Sequence, residues 1–416
     1  MRAPGINELA AATPDTRDRT VDFIRAVSIL TVVIGHWFIA LIWWQGGLIR
    51  TTSAVGVTSW LWLLTWVCQV MPLFFFVGGF SNYVTYNSYR RRGASTGEYI
   101  RSRTSRLLRP SLVFFAVWIP VVVALHLTNT GKSAGPVLWG STTLLRGLLP
   151  PGAFPFGPLW FLGAYLIVVA ISPLTIALHE RFHWRVIAVM AIGAVVADGV
   201  GFIGGHPGWR WFNAVFVLLL PHQLGHFLGD GSLQRLPRKV FWGMVTGGLT
   251  GLMLLTNPIV FKVFGQVRYE WFPGIGNYPK SMLGTDIEEI SNAYPPTLCY
   301  LLAGAWTIGA VMLLRPALQR WLQRPRPWKF TIVVNGVIMT LFLWHETAFL
   351  LAILALWPLG LGHMHDSTAA WWLQRFVWLG IPGAILVGLV AVFGRFERVR
   401  PSARASADRT PDPAAR

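Results

Sequence analysis

Apolar residues run along this chain in long unbroken stretches, and polar residues collect between them. Stretches of roughly membrane-spanning length fall near residues 22–44, 59–86, 110–128, 158–179, 184–201, 211–229, 239–257, 296–315, 331–357 and 370–394. None alternates apolar and polar with a period of two, so the pattern predicts helices and not the strands of a barrel. The expected fold is an all-α integral membrane protein, a bundle of about ten transmembrane helices. Residues 1–20 read as a polar tail and 21–395 as the membrane domain. Residues 396–416, rich in Pro, Ala and Arg, read as a disordered tail.

Composition agrees with that pattern. Of 416 residues, 54% are hydrophobic and only 12% charged, where a soluble domain carries about a quarter charged. The 22 Trp and 27 Pro suit aromatic belts and interrupted helices. A net charge of +18 would suit a nucleic-acid binder if the basic residues formed one surface. They are scattered over the connections between spans, so no nucleic-acid partner is expected.

Their scatter has an order. Of the 35 Lys and Arg, 26 fall in the N-terminal tail, 87–109, 181–185, 235–239, 315–330 and the C-terminal tail. Eight, including Arg50, Arg210 and Arg375, fall in the intervening segments, and Arg25 lies inside the first span. By the positive-inside rule this alternation puts both termini in the cytoplasm, in a multi-pass cell-membrane protein. The polar start of the chain predicts no signal peptide. Cys68 and Cys299 both fall in spans, so no disulfide framework is expected.

Against this apolar background a few ionisable residues stand out. Arg25 and His36 are eleven residues apart in the first span. Eleven helical residues turn about 1100°, so both side chains share one face, roughly 16 Å apart along the axis. Arg25 would sit near one interface, with His36 about halfway through the hydrocarbon. An imidazole at that depth is costly and is a functional candidate by default, although a neutral histidine bonded between helices is the simpler role. Arg103, Arg106 and Arg109 recur every third residue, a slowly drifting stripe on a helix, and guanidinium groups held so suit phosphates. The topology rule alone accounts for Arg90, Arg91 and Arg92. His345, Glu346 and Asp198 are further intramembrane candidates, with Glu346 able to orient an imidazole or bind an acceptor hydroxyl.

Other patterns carry less. His222 and His226 share a helical face, but no third ligand joins them at convincing spacing, so no metal site is expected. His363, His365 and Asp366 read as solvated loop residues. The long outer loop 258–295 holds Asp286, Glu288 and Glu289. GFIGGH (201–206) follows a hydrophobic helix, not a strand, which argues against a nucleotide loop. No Gly-x-Ser-x-Gly elbow occurs, which disfavours a serine hydrolase.

Five segments together resemble the membrane acyltransferase 3 family. RDRTVDFIRAVSILTVVIGHWF carries an Arg-x10-His pattern similar to that family's first span. MPLFFFVGGF (71–80), the pair Arg103-x-x-Arg106, GPLWFLGAYL (157–166) and LFLWHETAF (341–349) resemble further family segments in the same order, over about residues 17–394. Gly78 stands where the family often has Ser, Phe342 replaces the usual Tyr, and Glu346 follows His345 where Trp is common.

The resemblance implies transfer of an acyl group, acetyl being simplest, from acyl-CoA to a hydroxyl of a carbohydrate, glycolipid or similar envelope acceptor. It makes His36 the catalytic histidine and Arg25, Arg103 and Arg106 the acyl-CoA-binding arginines; the cost of intramembrane charge adds Glu346 as a further catalytic candidate and His345 as a substrate-binding one. No permanently bound cofactor is implied; acyl-CoA is a substrate. The chemistry fits: an alcohol attacking a thioester needs a base such as imidazole and stabilisation of the oxyanion. A polytopic transporter or lipid flippase explains the spans and the buried histidine, but the spans hold few carboxylates and no clear repeat. A membrane scaffold leaves the Arg25–His36 pairing without a role.

Overall fold

The computed structural model describes residues 6–14, 17–45, 48–127, 157–257, 278–284, 292–362, 364 and 366–397. Asp286, Glu288, Glu289, His363, His365 and most of the C-terminal tail lie outside the described residues. Among the described residues, ten helices are long and apolar enough to cross a membrane, as the hydropathy pattern predicts.

A short helix, α1 (Ile6–Ala11), lies within the segment read as a tail. Helix α2 (Arg19–Ile39) starts at Asp18, whose carboxylate accepts the Thr20 and Val21 amides at 3.0 and 3.2 Å, an N-cap. It ends at Ile39, short of the expected residue 44. Ala40–Gln45 instead form strand β1, paired antiparallel with β2 (Leu48–Ser53) so that Ala40 lies opposite Ser53. A run rich in Ile, Trp and Thr on either side of Gly46-Gly47 is a hairpin signal that hydropathy alone conceals.

The second stretch divides into α3 (Leu61–Cys68) and α4 (Met71–Arg91). Gln69 turns the chain there, its side-chain oxygen accepting the Met71 amide at 3.3 Å. Helix α5 (Thr96–Leu127) starts well before the expected span, so the supposed 87–109 loop is almost entirely helical. The cause is a capping box. Ser95 N–H donates to the Glu98 carboxylate at 2.8 Å, and Glu98 N–H donates to Ser95 Oγ at 3.2 Å.

The chain continues through α6 (Leu159–Phe182), α7 (Trp184–Asp198), α8 (Asn213–Gly229), α9 (Arg238–Thr256) and α10 (Leu298–Trp321). The stretch read as 331–357 is two helices, α11 (Pro325–Gly336) and α12 (Ile338–Leu356), meeting at Val337. Helix α13 (Ala369–Phe393) closes the bundle.

Small residues set the tightest packing. A Cβ on Gly79 of α4 would lie 1.9 Å from the His222 carbonyl oxygen, and one on Gly225 of α8 would lie 2.1 Å from that of Phe76. The two backbones therefore touch, the close approach that small residues allow between membrane helices. One large core cluster joins α2, α5, α12 and α13 through Ile29, Phe114, Trp344 and Trp378. A second joins α4, α8 and α10 through Phe76, Phe227 and Ile308.

Several segments with dense positive charge are tied to one another. Arg315 bonds Asp18 at 2.6 Å, Arg19 donates to the Leu322 carbonyl, and Arg90 bonds Glu180 at 2.6 Å. Two arginines counted with the opposite set are not loop charges. Arg210 and Arg375 are buried, at 7% and 4% exposure.

Candidate active site

Helix α2 presents His36 in its last turn. The exposed residues of this helix, Val27 and Ile34, lie roughly 160–180° around the axis from His36, so the imidazole points away from the outer face. It meets His345 and Glu346, neighbours on α12. His36 Nδ1 is 2.9 Å from Glu346 Oε1 and 3.0 Å from His345 Nε2. The two rings stack with centroids 5.2 Å apart.

The proton positions follow from the partners. His345 Nδ1 is 2.7 Å from the Phe342 carbonyl, which only accepts, so Nδ1 carries a proton, and its Nε2 is 3.4 Å from Glu346 Oε1. An ionised Glu346 also only accepts. His36 Nδ1, 2.9 Å from that carboxylate, therefore holds the hydrogen, and a neutral His36 keeps its lone pair on Nε2. The side chain of His36 is 41% exposed, while those of Glu346 and His345 are 9% and 0%. The arrangement is a carboxylate–imidazole pair with its reactive nitrogen on the accessible residue.

Neighbouring groups hold the pair in place. Trp37 Nε1 donates to the His345 carbonyl at 3.1 Å. Arg375 Nη1 donates to the carbonyls of Trp37 and Ala40 at 3.2 and 3.1 Å, and its guanidinium lies 3.9 Å over the Trp371 ring. These are the unpaired carbonyls at the end of α2, which explains an arginine buried there. Glu397 accepts the Met339 and Thr340 amides, each at 2.9 Å, and so caps the helix that carries His345 and Glu346. Burial raises its carboxyl above the ordinary value, and those amides, the Thr340 hydroxyl and the Arg25 charge offset only part of that rise.

The arginines form a separate group. Arg25 donates from Nε to Asn335 Oδ1 at 2.6 Å and from Nη2 to Asp22 Oδ1 at 2.9 Å. Arg103 donates to Asn82 Oδ1 at 2.9 Å and reaches Tyr165 OH at 3.5 Å, and both groups lie within electrostatic range of Arg25. A Cβ on Gly78 would meet the Tyr165 ring at 2.8 Å, so glycine makes room for that tyrosine. Arg106, one turn beyond Arg103, is exposed. On α2 the face between Arg25 and His36 is covered, because Ile29 and Val32 are buried.

Arg25 and His36 thus share a face toward α11 and α12, and His36, His345 and Glu346 meet. Asp198 stands elsewhere. Its oxygens accept from Asn213 at 2.7 Å, Tyr278 at 2.9 Å and the Leu298 amide at 2.8 Å. His222 accepts from Asn82 Nδ2 at 3.2 Å, which links it to Arg103. Asn82, Asn335, Tyr165 and Arg375 escaped the sequence reading. A charge inside an apolar helix was a usable signal for Arg375; the asparagines gave none without their partners.

Fold and site define a polytopic membrane protein with a carboxylate–imidazole pair in its core. The profile of the family described as "Acyltransferase domain" matches residues 18–396. The chain belongs to that family and is a multi-pass membrane acyltransferase. No curated protein and no solved structure matches it.

Proposed function

We propose that this acyltransferase moves an acyl group, acetyl in the simplest case, from acyl-CoA to a hydroxyl of a carbohydrate, glycolipid or similar envelope acceptor. His36 Nε2 takes the hydroxyl proton as the oxygen attacks the thioester carbonyl. The tetrahedral intermediate collapses with cleavage of the C–S bond, and the imidazolium returns its proton to the departing thiolate. Glu346 holds the Nδ1–H tautomer and offsets the positive charge that the ring acquires, a role that orients and stabilises without itself taking the proton. His345, expected at the substrate, reads better as a positioning residue, because it is fully buried behind the base.

The observation that carries the reading is the engagement of His36 Nδ1 by the Glu346 carboxylate on an accessible side chain. Coenzyme A is polyanionic, and Arg25, Arg103 and Arg106 supply charge for its phosphates at the basic end of the bundle. The roughly 16 Å from Arg25 to His36 suits the reach of a pantetheine arm. That arm would enter beside α2, since Ile29 and Val32 cover the helix face between them. An acceptor entering from the opposite end would be acylated without coenzyme A crossing the membrane. Family membership favours this reading over a transporter or flippase.

The test is incubation of the purified full chain with labelled acetyl-CoA and candidate acceptors, with His36→Ala alongside. Transfer lost in the variant supports the assignment; transfer at the parental rate removes His36 as the base.

A further inference from the structure

A second group of imidazoles meets a carboxylate where two helices end together. The C-cap residue of α6 is His183 and that of α8 is Asp230. One turn back along each helix stand His179 and His226. The two pairs face each other. His179 Nε2 is 2.9 Å and His183 Nε2 3.9 Å from Asp230 Oδ2. The His179 ring is centred 5.5 Å from that of His183 and 5.7 Å from that of His226. His179, His183 and Asp230 each offer one donor atom, all within 4.8 Å of one another. Two donors on a tetrahedral ion, each at about 2.0–2.1 Å, lie roughly 3.3 Å apart, so the observed spacings bracket what an ion requires.

A simple His179–Asp230 hydrogen bond leaves three features without a purpose. His183 holds φ 50° and ψ −130°, a conformation that glycine adopts at no steric cost and other residues do not. An imidazole kept there against that cost faces Asp230. His226 is fully buried, and neither of its ring nitrogens bonds a described residue, although a neutral imidazole always carries one N–H donor. Finally, α8 ends on the cluster and its carbonyl end favours a cation, while at His183 the C-terminus of α6 is met by the N-terminus of α7. Phe227, stacked on Trp184 at 3.7 Å and edge-on to His179 at 4.3 Å, walls one side with apolar surface.

We propose that His179, His183 and Asp230 bind a divalent first-row transition ion of the zinc type, with His226 completing the set after a side-chain rotation. Two imidazoles and a carboxylate suit such an ion better than magnesium, which prefers oxygen donors and retained water. The ion clamps the ends of α6 and α8. Those helices carry Tyr165 and His222, which lead to Arg103 directly and through Asn82. The clamp therefore stiffens the helices behind the arginine group.

The experiment uses the full chain in detergent, stripped with chelator, reloaded with zinc chloride and dialysed, with metal measured by mass spectrometry. Because His36, His345 and Glu346 also form a group capable of holding a metal, it is run in parallel on His36→Ala. One retained zinc per chain in both proteins, lost in His183→Gly and in Asp230→Asn, is the expected result. In chelator, His183→Gly melts at or above the parental temperature, because glycine relieves the backbone. That variant keeps the test valid should Asp230→Asn fold poorly. With zinc the parent gains several degrees and His183→Gly gains nothing; magnesium shifts neither. No retained zinc, or equal zinc in the parent and His183→Gly, overturns the proposal.

Discussion

Glu346 and Asp198 are both carboxylates buried among membrane-length helices, and the sequence offers little to rank them. The structure separates them by their partners. Asp198 is met by three donors, from Asn213, Tyr278 and the Leu298 amide. Every one of those groups is consumed in tying α7 to α8, α10 and the 278–284 segment. Glu346 is met by imidazoles, and the nearer ring keeps a second nitrogen with no bond to the described residues, on a 41% exposed side chain. Burial of a charge is common to both. What differs is whether the partner has chemistry left over once the charge is satisfied.

The contrast can be broken by substitution. The largest effect is expected for His36→Ala, with kcat/KM for acyl transfer down by roughly 10³–10⁴, near the upper range for loss of a general base. Glu346→Gln follows. It keeps the shape but loses the charge that fixes the Nδ1–H tautomer, and kcat should fall by about 10²–10³ with KM for the donor little changed. Asp198→Asn should leave kcat per folded molecule within about twofold while costing about 1–3 kcal/mol of stability, read by thermal melting, through a mismatched donor in the buried knot. An activity loss per folded molecule as large as that of Glu346→Gln would erase the distinction.

Two smaller effects sharpen the comparison from outside it. Arg103→Gln should raise KM for acyl-CoA by roughly tenfold, the value of one charge-assisted contact, with kcat nearly intact. Glu397 gives the least. Its carboxyl is raised above the ordinary 4.5 in the fold, so the folded protein binds more protons than the unfolded chain just above that pH. Stability then declines as pH rises through the interval from 4.5 to the raised value. Glu397→Gln should flatten that part of the melting-temperature profile; an unchanged slope would remove Glu397 as its source.

The ten membrane-length stretches were legible because lipid imposes a single answer on a long apolar run: a helix with its backbone bonds satisfied internally. The shared face of Arg25 and His36 was legible for the same reason, since helix geometry follows from residue spacing. Local competition escaped that reading. The helix stops at Ile39 in favour of a hairpin, and α5 starts early at a capping box, because both depend on short-range chemistry that an average over twenty residues smooths away.

The apposition of His36 with Glu346, 310 positions along the chain, belongs to the tertiary structure alone. So do the satisfaction of Asp198, the capping of α2 by Arg375, and the meeting of α6 and α8 at His183 and Asp230. Sequence by itself determined which segments become helices and which face of each bears a polar group, since those depend on neighbours within a few turns. Which polar faces meet, and which of their atoms remain unbonded, was decided by helix packing. Close contacts such as Gly79 against His222 set that packing, and no periodicity along one strand of chain encodes them.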